Sequence, residues 1–236
     1  MRNDTKTWMF GTTSALSKEI IKNLDNPICF GRHNVDYNDP DNFLQTHFNK
    51  DEFYEKNLSI NMYVNVAIDV PKGLHTDTHE SFMKLLHDVS ITIYFFYRLL
   101  KIIKYHKKPV KVCYITSSSP NAVNRLQKLT SNEKESIFIN NEDGEAEVGI
   151  GYNVFIYNVV RSLQQFAYLS RHSKFCRTIG VSPSRLSNEN IAEYGRIIAG
   201  LLDKDINDEQ WEKIYDLSTG MWFEWSTVTF EPSKDK

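Results

Sequence analysis

The chain has 236 residues, 41% hydrophobic and 25% charged, which suits one well-filled globular core and excludes a disordered or fibrous chain. A formal net charge of -2 gives no overall electrostatic reason to expect nucleic acid or an anionic membrane as partner. Cys29, Cys113 and Cys176 sit in apolar runs without metal-ligand spacing, so buried thiols in a reducing compartment are expected, not a disulfide framework.

The N-terminal "MRNDTKTW" has no apolar leader, and the longest apolar stretch, "VSITIYFFYRLLKIIKY", contains Arg98 and is short for a membrane span. The expected location is the cytoplasm, with no membrane partner.

Strand-like and helix-like runs then alternate. "TWMFG" (7–11) reads as a strand and "SKEIIKNL" (17–24) as a helix, with apolar residues at helical spacing. "PICFGR" (27–32) is a second strand. "INMYVNVAIDV" (60–70) is nearly continuous in apolar character, as in a parallel sheet covered on both faces. A long helix is predicted over 79–106, a strand over 110–119, a helix over 152–172 and a strand over 175–183. A helix follows over 188–203, capped by Ser187 or Asn188, and a last strand over 221–225.

This order predicts an α/β fold of Rossmann type, a doubly wound parallel sheet in three α/β/α layers. No repeat and no Pro/Gly linker divides it, so one domain over 1–236 is expected. Residues 120–150 break the rhythm. Their Asp-Gly pair between strand-like arms signals a hairpin, placed as an insertion over the carboxyl edge of the sheet.

The first turn reads "FGTTSALS", a single glycine followed by small hydroxyl residues and a helix start. Backbone amides and the helix dipole at such a turn stabilise phosphate charge, and small residues let the phosphate come close. Thr12, Thr13 and Ser14 can add hydroxyl donors. Ala15 is compatible with the turn where the backbone there needs no positive φ. The second strand ends "FGRH". Arg32, with no acid at 30–33, favours a 2′-phosphate and hence NADP over NAD. An ion pair of Arg32 with Asp36 or Asp39 is the alternative reading.

His75 and His79 stand four apart with Asp77, Glu80, His87 and Asp88 nearby, but no third ligand is committed, and no metal is expected.

With these strings in order, the chain resembles the short-chain dehydrogenase/reductase superfamily. "FGTTSALS" is similar to its T-G-x-x-x-G-x-G, with Gly11 kept and Ala15 and Ser17 in place of the second and third glycines. "NVAI" aligns with its N-N-A-G through Asn65 and Ala67. "CYITSSS" matches the strand that carries the catalytic serine, and "IGVSPSRL" the strand that ends in Pro-Gly, through Pro183.

The resemblance implies a nicotinamide cofactor held by Gly11, Thr12, Thr13, Ser14, Ala15, Leu16, Arg32, His33, Asp36, Asn65, Ala67 and Pro183. It implies that Ser118 orients a carbonyl, that Tyr152 gives it a proton, and that Ser90 falls near the family's helix asparagine. Four residues after Tyr152 stands Ile156, where the family has lysine; Arg161, four after Tyr157, offers a cation in another register. Two functions therefore stay open. One is an NADP-dependent reductase of a small carbonyl or imine. The other is a non-catalytic ligand-binding or assembly subunit. In either case the resemblance implies a homodimer or homotetramer through the helices at 88–106 and 152–172, both rich in aromatic residues.

Overall fold

A computed structural model describes residues 5–31, 33–47, 58–65, 79–105, 107–115, 175–183, 186–204, 206–211, 213–217 and 219–223. Along the chain these form β1 (Thr5–Phe10), α1 (Ala15–Lys22), β2 (Ile28–Phe30), α2 (Pro40–His47), β3 (Ser59–Val64) and α3 (His79–Tyr105). After them come β4 (Val110–Ile115), β5 (Cys176–Ser182), α4 (Ile191–Ala199), β6 (Ile214–Asp216) and β7 (Met221–Phe223). The predicted helix over 152–172 and the hairpin at 120–150 lie outside the described residues.

One seven-stranded sheet runs in the order β2-β1-β3-β4-β5-β6-β7. Alternation along each strand divides the core in two. Trp8, Phe10, Met62, Val64 and Val112 face α2 and α3, where they meet Phe43, Phe95, Phe96, Leu99 and Ile103. Met9, Tyr63, Cys113, Ile179 and Val181 face α1 and α4, where they meet Leu16, Ile20 and Ile198. Helices thus cover both faces, as the pattern of elements predicts.

The sheet is parallel, as expected, except at one edge, where β7 runs antiparallel to β6. Residues 217–220 are too few for a parallel crossover, which takes a dozen residues or more. Gly220, just before β7, stands at φ +67 with its amide bonded to the Asp216 carbonyl at 2.9 Å.

Two elements were not expected. Residues 40–47 form α2 because the Asp39 carboxylate accepts from the Asn42 amide at 3.0 Å and Pro40 occupies the first turn. The three-residue β6 is held by its pairing with β5. The start of α4 also moves. Asn190 is its N-cap residue, with the Asn190 side chain accepting from the Ser187 amide at 2.9 Å.

The aromatic residues of α3 separate into two sets. Phe95 and Phe96 are fully buried and pack edge-on to Phe10, with centroids 5.9 and 5.2 Å away. Tyr94, Tyr97 and Tyr105 are 50%, 39% and 81% exposed. Cys113 and Cys176 are buried, whereas Cys29 is only partly so; none of the three is joined in a disulfide. No helix among the described residues is long and apolar enough to cross a membrane.

Candidate dinucleotide site

The chain reverses direction across the sheet between β1 and β3: β2 lies on one side of β1, and β3 on the other. In doubly wound sheets a crevice opens at such a point, beyond the carboxyl ends of the strands. Gly11 stands there at φ +81, a conformation that favours glycine. Its amide donates to the Phe30 carbonyl at 2.8 Å, and the Asn65 amide donates to the Phe10 carbonyl at 2.9 Å. The turn is therefore tied to both neighbouring strands.

Ser14 caps α1. Its hydroxyl oxygen accepts from the Ser17 amide at 3.1 Å and its proton goes to Ser17 Oγ at 2.9 Å. The Asn65 side-chain amide donates to both hydroxyls, at 3.0 and 2.8 Å. Ser14 is thus turned inward, its hydroxyl proton committed to Ser17. The Ala15 and Leu16 amides lie in the first turn, where the helix has no carbonyls to receive them, so they are available to an anion. Ala15 is exposed, and the only non-glycine residues at positive φ among the described ones are Asn26 and Lys107. The methyl at position 15 therefore carries no backbone strain.

On the β2 side, Thr12 and His33 close over Gly31. A Cβ on Gly31 would stand 2.8 Å from Thr12 Oγ1 and 2.9 Å from His33 Nδ1, so only glycine permits this approach. Asn34 shapes the loop by accepting from the Gly31 amide at 2.7 Å and donating to the Cys29 carbonyl at 2.9 Å. The exposed Asp36 holds the next turn, its carboxylate accepting from the Asn38 amide at 2.8 Å. Among the described residues of the 31–34 loop there is no acid to repel a phosphate.

Pro183 follows β5 directly, and Ser90 is exposed on α3. Arg32, Ala67, Ser118, Tyr152 and Arg161 lie outside the described residues, as do Ile156 and Tyr157. Two described tyrosines are unsuited to proton transfer. Burial pushes the Tyr63 and Tyr114 hydroxyls far above the usual phenol range, and Tyr63 also donates to the Ala199 carbonyl at 2.6 Å. Sequence reasoning missed Asn34 and the joint role of Ser17 and Asn65. The "GRHN" string carried a signal for Asn34, since asparagine often bonds nearby backbone in turns.

A mostly parallel sheet reversing beside a glycine turn that opens a helix defines the doubly wound α/β class. The chain has the fold of the short-chain dehydrogenases/reductases. It is similar to the NADPH-bound carbonyl reductase from chicken fatty liver, with TM-score 0.54 and 10% identity over 93% of this chain and 98% of that one. An alcohol dehydrogenase from the archaeon Thermococcus sibiricus, complexed with 5-hydroxy-NADP, gives 0.52 and 12% over 86% and 94%. A short-chain dehydrogenase/reductase from Vibrio parahaemolyticus gives 0.52 and 13% over 89% and 97%. The chain spans 50% of the length of a GDP-mannoheptose C4 reductase from Campylobacter jejuni that it also matches, at TM-score 0.46 and 12% identity over 79% of this chain. No family model and no curated protein matches the sequence.

Proposed function

We propose that the chain is an NADP-dependent oxidoreductase of the short-chain type, reducing a small carbonyl or imine substrate. The observation that carries this reading is the turn at 11–16. Its glycine is at positive φ, its first-turn amides are available, and its Ala15 methyl stands clear, all at the reversal point of the sheet.

Gly11 to Leu16 would hold the pyrophosphate, with Asn65 fixing the turn. Thr12, Arg32 and His33 would face the 2′-phosphate, Asp36 the adenine edge, and Ala67 and Pro183 the rest of the cofactor. When bound, NADPH supplies a hydride. Ser118 then orients the carbonyl oxygen and Tyr152 delivers its proton there, while Arg161 takes over ribose binding from the family's lysine. The chain would work in the cytoplasm as a single domain carrying the 120–150 insertion, and as a homodimer or homotetramer through the 88–106 and 152–172 helices.

A second reading, a non-catalytic binding or assembly subunit, is favoured by Ile156 and by the outward tyrosines of α3. Thermal unfolding with each nicotinamide cofactor separates the two. At a hundred times its Kd, NADPH should stabilise the protein by about 2.7 kcal/mol, and NADH should do less. No shift with either would overturn both cofactor readings. A shift without turnover over a carbonyl and imine panel would leave the binding subunit.

A further inference from the structure

Among the described residues β2 is the outermost strand, whereas dinucleotide-binding sheets usually carry one more strand beyond it. The Phe30 carbonyl points inward, to β1, where it accepts from the Gly11 amide. A trans peptide sets the Gly31 N–H opposite that carbonyl, and the preceding carbonyl, of Cys29, also faces outward. Such groups are what an open sheet edge leaves unpaired. Here both are bonded, and by one side chain. The Asn34 carboxamide accepts from the Gly31 amide at 2.7 Å and donates to the Cys29 carbonyl at 2.9 Å. One donor and one acceptor are what a peptide group of an added strand would offer, so Asn34 stands in for that strand.

The turn itself sets Asn34 in place: the Asn34 and Val35 amides donate to the Gly31 carbonyl at 3.0 and 2.9 Å, and Val35 is buried. Gly31 is thereby held at its amide and at its carbonyl. The effect falls on Thr12 and His33, which close over Gly31 to 2.8 and 2.9 Å from where a Cβ would stand. Any shift of Gly31 moves the floor on which this hydroxyl and this imidazole rest. Both stand at the carboxyl end of β2, one strand from the Gly11 turn. Asn34 is exposed, so its loop is open to solvent and to a ligand.

We propose that Asn34 is a positioning residue for the adenosine end of the cofactor, an inference that rests on the cofactor reading above. Its carboxamide replaces an outer strand and holds Gly31 so that Thr12 and His33 are set before the ligand arrives. Without it the loop is ordered only on binding, and affinity falls by the fraction of molecules in which the loop is already in place.

Two measurements on wild type and Asn34→Ala test this, both well below the melting temperature. The first is hydrogen exchange of single amides. In Asn34→Ala the Gly31 amide should exchange faster, while the Gly11 amide, bonded to Phe30, keeps its protection. The second is the dissociation constant for NADPH and for adenosine 2′,5′-bisphosphate, which has only the adenosine end. Asn34→Ala should weaken both about tenfold, and by the same factor. Unchanged affinities, a loss for NADPH that the bisphosphate does not share, or equal loss of protection at Gly11 and Gly31 would overturn the inference. If wild type bound neither ligand, the cofactor reading itself would fall, and this inference with it.

Discussion

The Asn65 side-chain amide reaches 2.8 Å to the hydroxyl of Ser17, a residue with no exposed surface at the position where related turns carry their third glycine. The glycine normally lets helix and strand pack closely. Here serine is accommodated because a neighbouring strand supplies a donor to its buried oxygen. Ser14 shares the same amide at 3.0 Å, so one side chain joins the end of β3 to the cap and the first turn of α1.

Asn65→Ala removes that donor from two hydroxyls, one of them wholly buried. The expected loss of stability is about 1–3 kcal/mol, read from urea unfolding, and NADPH binding should weaken as the turn loosens. Ser17→Gly should not improve binding although it restores the family glycine, because it deletes a hydrogen-bonded side chain and adds helix flexibility, about 1 kcal/mol against the helix. Stronger NADPH binding by Ser17→Gly would show that the serine is an obstruction and not a support.

Gly195 governs how α4 meets α1. A Cβ there would lie 2.5 Å from Glu19 Cβ and 2.8 Å from the Glu19 carbonyl carbon, and backbone cannot swing aside as a side-chain tip can. Helix propensity alone would reward Gly195→Ala by about 1 kcal/mol. Overpacking costs about 1–3 kcal/mol and should win, giving a lower melting temperature. Because α1 carries the first-turn amides, the variant should also bind NADPH more weakly. A stabilised Gly195→Ala would show that the two helices separate easily.

Tyr114 gives the opposite sign. Its hydroxyl is buried with no hydrogen-bond partner among the described residues, so Tyr114→Phe removes a desolvated polar group and keeps the ring. The variant should be as stable as wild type or up to about 1 kcal/mol more stable in chemical denaturation. A loss of more than that would mean that the hydroxyl is satisfied in solution.

The alternation of short strands with longer helical runs was enough to read the layered fold, because each strand's apolar residues serve two covered faces. The long apolar run of α3 could not be divided by composition; only its register against the sheet puts Phe95 and Phe96 inside and Tyr94 and Tyr97 outside. Helix α2 was legible in "DPDNF", an acid before a proline at a helix start. The three residues of β6 carry too little pattern to be seen without their partner β5. At the turn, Gly11 was readable from chemistry alone. The bonds from Asn65 to Ser14 and Ser17 join residues about fifty apart in sequence, and no local spacing announces such a contact.

The outward tyrosines make the assembly reading testable. Tyr94 and Tyr105 are large and exposed on one helix, a surface that suits burial against another copy. Replacing both with glutamate should leave the fold intact, since neither belongs to the buried core. It should shift the sedimentation coefficient towards that of a monomer. An unchanged oligomeric state would place the subunit contact elsewhere.

His47 sets the pH response. Its ring packs 5.0 Å from Phe30 and 4.7 Å from Phe43, and burial lowers its pKa below the usual 6.5. The unfolded chain then takes up the proton more readily than the folded one, so the stability that comes from a neutral His47 is complete above about pH 6.5 and declines as pH falls below it. His47→Phe keeps an aromatic ring against the cluster and removes the titration. The difference in unfolding free energy between wild type and His47→Phe should therefore widen, to the disadvantage of wild type, as the pH is lowered from about 7 towards 5. A difference that stays constant with pH would mean that the imidazole takes up its proton equally well in both states, and that its contact with Phe30 and Phe43 does not exclude water.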